Sequence, residues 1–181
     1  MQERSRNIFT ADRESVESSC FIDTGVFFAA SNTRDLLHKE AVLLLVSAVL
    51  GWFGRQYTST YVFDETVTLA KTRIGGKQAL NLAENILQSK KISILKIEER
   101  ADILEDALSK FRKHSDMRGL SFTDCTTLAL LERLKTKYVL SFDRNFRSFV
   151  PVLLGERYSE SLTREEFELL LNVMKKLQVK L

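Results

Sequence analysis

Short strand-like runs, each separated from the next by a helix-length amphipathic segment, limit this chain to one class of fold. CFID at 20–23, RQYTST at 55–60, ISILKI at 92–97 and YVLSF at 138–142 read as strands. FVPVL at 149–153 adds a fifth, and Pro151 restricts it to a sheet edge because proline lacks the N–H that a central ladder needs. Helical patterns fill the intervals, over 26–33, 35–54, 61–73, 77–90, 98–114 and 121–135, with a closing helix over 163–177. Ser59 and Thr60 are N-cap candidates, Gly75-Gly76 is a break, and Thr163-x-x-Glu166 is a capping box. Strands alternating with helices predict an α/β fold, a three-layer parallel β-sheet of four to five strands flanked by helices.

A length of 181 residues suits one domain with a full core. Apolar residues at 44% and charged residues at 28% are an ordinary globular composition. The net charge of +3 permits contact with nucleic acid but does not by itself argue for it. Cys20 and Cys125 form no CxxC pair, which speaks against a disulfide framework and a thiolate zinc site. The most apolar stretch, AVLLLVSAVLGWF at 41–53, falls short of the roughly 20 residues that span a bilayer. It reads as a buried helix, with no membrane association. No secretory apolar region opens the chain, so a cytoplasmic location is expected. Residues 1–19 read as a polar leader, 20–155 as the main domain and 156–181 as a C-terminal helical extension packed on or beside it.

Four acids fall at special places in this pattern. Asp23 ends the first strand and Asp143 follows YVLSF directly. Parallel strands end on one rim, where ligands bind in open α/β sheets, so these two acids share a rim. Glu65 has Tyr61 and Leu69 four residues to either side, an apolar stripe, whereas Asp64 lines up with Thr68 and Lys71 on a solvent face. Asp124 precedes Leu128 and Leu131 on one helical face. Each acid alone also has a plain structural reading. Asp23 suits a turn, Ser121-x-x-Asp124 suits a capping box, and Asp143-Arg144-Asn145 suits a turn. Together, four carboxylates in one crevice need a positive partner, and Mg²⁺ or Mn²⁺, one ion or two, fits oxygen-only ligands. Only His38 and His114 are present, in no zinc-binding spacing.

FIDTGVFFAA at 21–30, YTSTYVFDETVTLA at 57–70, GLSFTDCTTLAL at 119–130 and VLSFDRNF at 139–146 resemble, in this order, the pieces of the PIN-domain ribonucleases, in particular the toxin-like VapC type. The likeness runs from Phe21 to about Phe149. It implies a PIN-like nuclease domain over 20–155, with Asp23, Glu65, Asp124 and Asp143 as catalytic and metal-holding acids. Thr24, Ser121, Thr123 and Asn145 match supporting polar positions. It further implies metal-dependent hydrolysis of RNA phosphodiesters. Many such proteins are toxins restrained by a small antitoxin, and the apolar residues of 77–90 (Leu80, Ala83, Ile86 and Leu87) suit either a homodimer or the core.

Substrate phosphates need positive charge near the acids, and Arg144, Arg147, Lys71, Arg73 and Lys77 are the candidates for RNA binding. No Ser–His or Cys–His arrangement is needed for such chemistry. A haloacid-dehalogenase-like phosphatase needs a second Asp where Gly25 stands, and a phosphorelay receiver needs a Lys where Asp143 stands. A non-catalytic PIN-like module that binds RNA or serves assembly is the alternative, and a flap-type DNA nuclease is disfavoured by the lack of a long helical arch.

Overall fold

The computed structural model describes residues 18–91, 94–99 and 101–179. Most of the expected leader, residues 1–17, lies outside this set, as do Ile92 and Ser93 of the expected third strand. Five strands form the sheet: β1 (Ser19–Ile22), β2 (Arg55–Ser59), β3 (Leu95–Glu98), β4 (Tyr138–Leu140) and β5 (Val152–Leu154). All pairings are parallel and the order is β3-β2-β1-β4-β5. This is the expected α/β sheet, with Pro151 just before an edge strand.

β1 is central, and all four of its residues are buried, as a strand covered on both faces requires. Cys20 stands opposite Gln56 on one side and Tyr138 on the other. The chain leaves β1 toward β2 and β3, then returns to the other side for β4 and β5. The strand order therefore reverses between β1 and β4, which opens a crevice beyond their C-terminal ends.

The helices are α1 (Thr24–Ser31), α2 (His38–Val49), α3 (Thr60–Arg73), α4 (Gly76–Lys91), α5 (Leu104–Lys113), α6 (Phe122–Leu134), α7 (Tyr158–Ser161) and α8 (Arg164–Lys176). Short 3₁₀ turns lie at Ala101–Ile103 and Arg144–Ser148. Three caps expected from the sequence are made. Ser59 accepts from the Val62 amide, and Ser121/Asp124 and Thr163/Glu166 both close capping boxes.

The helix expected over 35–54 is shorter at both ends. Asp35 Oδ1 holds the Leu37 amide at 2.9 Å in a turn ahead of α2. Beyond α2, Gly51 (φ 80) and Gly54 (φ 75) take left-handed conformations. A Cβ on Gly54 would lie 1.9 Å from the Ser18 carbonyl, which accepts the Arg55 amide and starts β2 beside β1. Helix α4 divides its apolar residues. Ala79, Leu82 and Ile86 are buried, while Leu80 and Leu87 are exposed.

Phe21, Phe53, Phe146, Leu43 and Leu44 are among the largest fully buried side chains. Truncating such a phenylalanine to alanine costs about 3–5 kcal/mol. The segment after β5 packs on α2. Tyr158 Oη donates to Ser47 Oγ at 2.8 Å, the Ser159 amide and hydroxyl donate to Glu40 at 2.7 and 2.5 Å, and Leu170 and Met174 are buried. Among the described residues no helix is long and apolar enough to cross a membrane.

Candidate active site

Asp23 leaves β1 in extended conformation (φ −91, ψ 163) and occupies the N-cap position of α1 without a side-chain capping bond. Its amide donates to the Leu140 carbonyl at 3.1 Å, which locks the end of β1 to β4. Its Oδ2 accepts from Ser141 Oγ at 2.6 Å, and that same hydroxyl oxygen accepts from the Asp143 amide at 3.0 Å. One serine thus joins two acids that are distant in sequence.

The other acids are held with equal economy of partners. Thr24 Oγ1 donates to Glu65 Oε2 at 2.6 Å, bringing α1 and α3 together. The seam that α3 buries is Val62, Thr66 and Ala70. Glu65, with Tyr61 and Leu69, lies half-buried beside that seam, while Asp64, Thr68 and Lys71 face solvent. Asp124 closes its capping box with Oδ2, which accepts from the Ser121 amide at 2.6 Å. Its helix buries Leu128 and Leu131 as the periodicity predicts. Asp143 caps the following 3₁₀ turn, accepting the Asn145 amide at 2.8 Å on Oδ1 and the Asn145 side chain at 3.4 Å on Oδ2. Gly119 leaves room for that amide group, since a Cβ there would stand 2.5 Å from Asn145 Nδ2.

Asp23 is only 7% exposed, and burial pushes its pKa up to about 6. The Ser141 hydroxyl and the Thr24 amide pull it back, and the charges of Asp124 and Glu65 push it further up. Asp124 is raised as well. Burial is the largest cause, Ser121 opposes it through its hydroxyl and amide, and Asp143 and Glu65 add to it. Asp23 therefore stands in the field of Asp124 and Glu65, and Asp124 in that of Asp143 and Glu65. Among the described residues no three His, Cys, Asp or Glu side chains are close enough as they stand to hold one ion. The donor set is nevertheless of oxygen alone, which suits a hard divalent cation that keeps several of its waters.

The remaining candidates divide. Thr24, Ser121 and Asn145 each bond an acid, whereas Thr123 enters the bonding through its backbone oxygen, which accepts from Thr126 Oγ1 at 2.7 Å. Arg144 and Arg147 line a crevice of about 450 Å³ that also reaches Ser141 and Gly155. Arg144 is paired there with Glu156 at 2.5 Å. Lys71 and Arg73 stand in the last turn of α3, about 9–12 Å along its axis from Glu65 and away from the rim, and Lys77 opens α4 beyond them. Sequence reasoning missed Ser141. Its signal was a hydroxyl in an apolar strand run, two residues ahead of an acid. Thr58, whose Oγ1 donates to the Ile22 carbonyl at 2.9 Å beneath Asp23, gave no such signal.

The profile of the PIN domain matches residues 20–150. The VapC ribonuclease of Archaeoglobus fulgidus is 30% identical over 148 residues, spanning 82% of this chain and 90% of that protein. The 23S rRNA-specific endonuclease VapC20 of Mycobacterium tuberculosis is 29% identical over 130 residues, 70% of this chain and 90% of its own. The crystal structure of that protein, described as a Sarcin-Ricin loop cleaving toxin, superposes with a TM-score of 0.61, covering 74% of this chain and 98% of that one. VapBC2 from Rickettsia felis, bound to a promoter DNA fragment, shares the fold at a TM-score of 0.52 and 14% identity. With the parallel sheet, the acids at its rim and these likenesses in agreement, the chain belongs to the PIN-domain family, among its VapC-type nucleases.

Proposed function

We propose that this chain is a metal-dependent endoribonuclease in which Asp23, Glu65, Asp124 and Asp143 hold one or two Mg²⁺ or Mn²⁺ ions. The observation that carries this reading is the convergence at the end of β1, where Ser141 ties Asp23 to Asp143 and Thr24, next to Asp23, ties Glu65. Burial pushes the Asp23 carboxyl up to about 6, with a smaller contribution from the charges of Asp124 and Glu65, and a divalent cation would compensate such a buried charge in an oxygen-only pocket. The likeness to ribonucleases of the VapC type supports RNA as the substrate.

A bound cation would polarise a phosphate oxygen and lower the pKa of a water. The chain's own groups do the positioning. Ser141 orients the Asp23 carboxylate, and Thr24 fixes Glu65 against α1. Asn145 and the Ser141 hydroxyl hold Asp143 on the rim, while Ser121 pins one oxygen of Asp124. Arg144 and Arg147 provide positive charge beside the acids for the flanking phosphates. Residues 20–155 carry the nuclease, and the described residues from 156 onward brace α2. The relatives' toxin character supports a role as the toxin of a cytoplasmic toxin–antitoxin pair, with a small antitoxin as partner.

The test is cleavage of a mixed single-stranded RNA pool with Mn²⁺, Mg²⁺ or EDTA, with Asp23→Asn and Asp124→Asn run in parallel. Cuts that need the metal and vanish in both variants are expected. RNA binding without cleavage, or acid substitutions without effect, would replace this reading by a non-catalytic RNA-binding or assembly module.

A further inference from the structure

A second recess, of about 730 Å³, lies along the outer side of α6, between the end of α5 and the segment that enters β5. None of the site candidates lines it. Its rim is basic. Lys113 and Lys135 have no ion pair among the described residues, and the lining acid, Glu132, is already paired with Lys110. Its wall is apolar, formed by Leu128, Phe149 and Pro151.

Two features mark the recess as built for a ligand. Thr136 lines it, is 5% exposed, and its Oγ1 has no hydrogen-bond partner. A buried hydroxyl left unmatched is rare in native proteins, and a ligand oxygen would satisfy it. Lys135 caps α6 at φ 50, a conformation in which glycine or asparagine is the usual residue. The helix ends on a lysine there although a glycine would fit the backbone better.

We propose that this recess holds a nucleotide of the bound RNA beyond those next to the scissile bond, its base against the apolar wall and its phosphate between Lys113, Lys135 and the Thr136 hydroxyl. The inference rests on the ribonuclease reading above for its substrate. The recess lies about 16 Å along α6 from Asp124, at the sheet edge where β4 and β5 begin, and two continuous pieces of chain lead from it to the acids. Ser148 and Phe149 end the 3₁₀ turn that Asp143 opens, a span on the order of 10 Å, and His114 begins the loop that leads to the Ser121/Asp124 cap. A cation pair, a lone hydroxyl and an aromatic edge are the parts from which single-stranded nucleic-acid sites are made.

The test is binding of a fluorescent single-stranded oligoribonucleotide in EDTA, so that no cleavage is needed, with the full chain, Lys113→Ala/Lys135→Gly and Thr136→Val. Lys135→Gly relieves the left-handed strain and Thr136→Val removes an unmatched hydroxyl, so neither should lower the melting temperature. The expected result is a dissociation constant at least tenfold higher for the double variant, with the slope of log K against log salt reduced by about one to two. Weaker binding by Thr136→Val at unchanged melting temperature is expected too. Equal affinity and slope for all three proteins would overturn the inference. So would a free mononucleotide or inorganic phosphate that binds through Lys135 and Thr136 without displacing the oligonucleotide, which would make the recess a small-molecule site. Lost binding in the variants of a protein that never cleaves RNA would leave the recess standing and remove the nuclease reading.

Discussion

Two carboxylate–serine links join segments almost equally far apart in sequence. Asp23 meets Ser141 across 118 residues, and Glu40 meets Ser159 across 119. The chemistry is nearly the same and the settings are opposite. Glu40 stands half-buried with hydrogen bonds to both of its oxygens, accepting the amide and the hydroxyl of Ser159, and it anchors α7 on α2. Asp23 is buried with one hydroxyl on one oxygen and feels the charges of Asp124 and Glu65. The first link stabilises the fold. The second holds a carboxyl that burial pushes up to about 6, so the fold itself gains nothing from its charge.

The largest break in this comparison is expected at Asp23. Asp23→Asn should lower RNA cleavage by about 10²–10³-fold, several kcal/mol of lost charge stabilisation, yet raise the melting temperature at pH 7. The sign follows from linkage. A carboxyl raised from about 3.9 in the unfolded chain to about 6 binds more protons when folded, so its ionisation costs stability as pH rises through that window. Relative to Asp23→Asn, the intact protein should recover about 2–3 kcal/mol between pH 7 and pH 4. A melting curve of the variant that parallels the intact protein at every pH would sink this account. Mg²⁺ or Mn²⁺ should also stabilise the intact protein more than the variant, by about 3 kcal/mol at a hundredfold excess over the dissociation constant, read as a higher melting temperature.

Ser141→Ala comes next. Asp23 loses the hydroxyl that lowers its pKa and fixes its orientation, so metal affinity and cleavage should fall about 10–100-fold. An unchanged titration of metal against cleavage rate would reduce Ser141 to a packing residue. Gly155→Ala sharpens the same point through the backbone. A Cβ there would lie 2.3 Å from the Ser141 carbonyl, so the end of β4 must shift at a cost of about 1–3 kcal/mol, read by denaturant unfolding. The smallest effect belongs to the other link. Glu40→Gln should cost about 1 kcal/mol and leave the cleavage rate alone, and a loss of activity would show that the brace on α2 reaches the site.

Much of this was legible in the sequence because it is local. Strand–helix alternation, the caps at Ser59, Ser121 and Thr163, and the solvent phase of Asp64 each follow from a few neighbouring residues. The acids were legible as strand-end and helix-start residues. What was hidden depends on partners far along the chain. The split of α4 comes from which of its leucines meets the sheet. Ser141 became a bridge only when β1 and β4 paired. The recess beside α6 needed three separate segments to meet before it existed.

The reversal of strand order between β1 and β4 has a consequence for synthesis. Asp23 and Glu65 leave the ribosome early, but β1 has one side unpaired until residues 138–140 arrive, and Asp143 follows them. Every nascent chain too short to include Asp143 lacks at least one of the four acids. On the proposed reading, the machine that makes this chain meets a complete set of site acids only when most of the chain has already emerged.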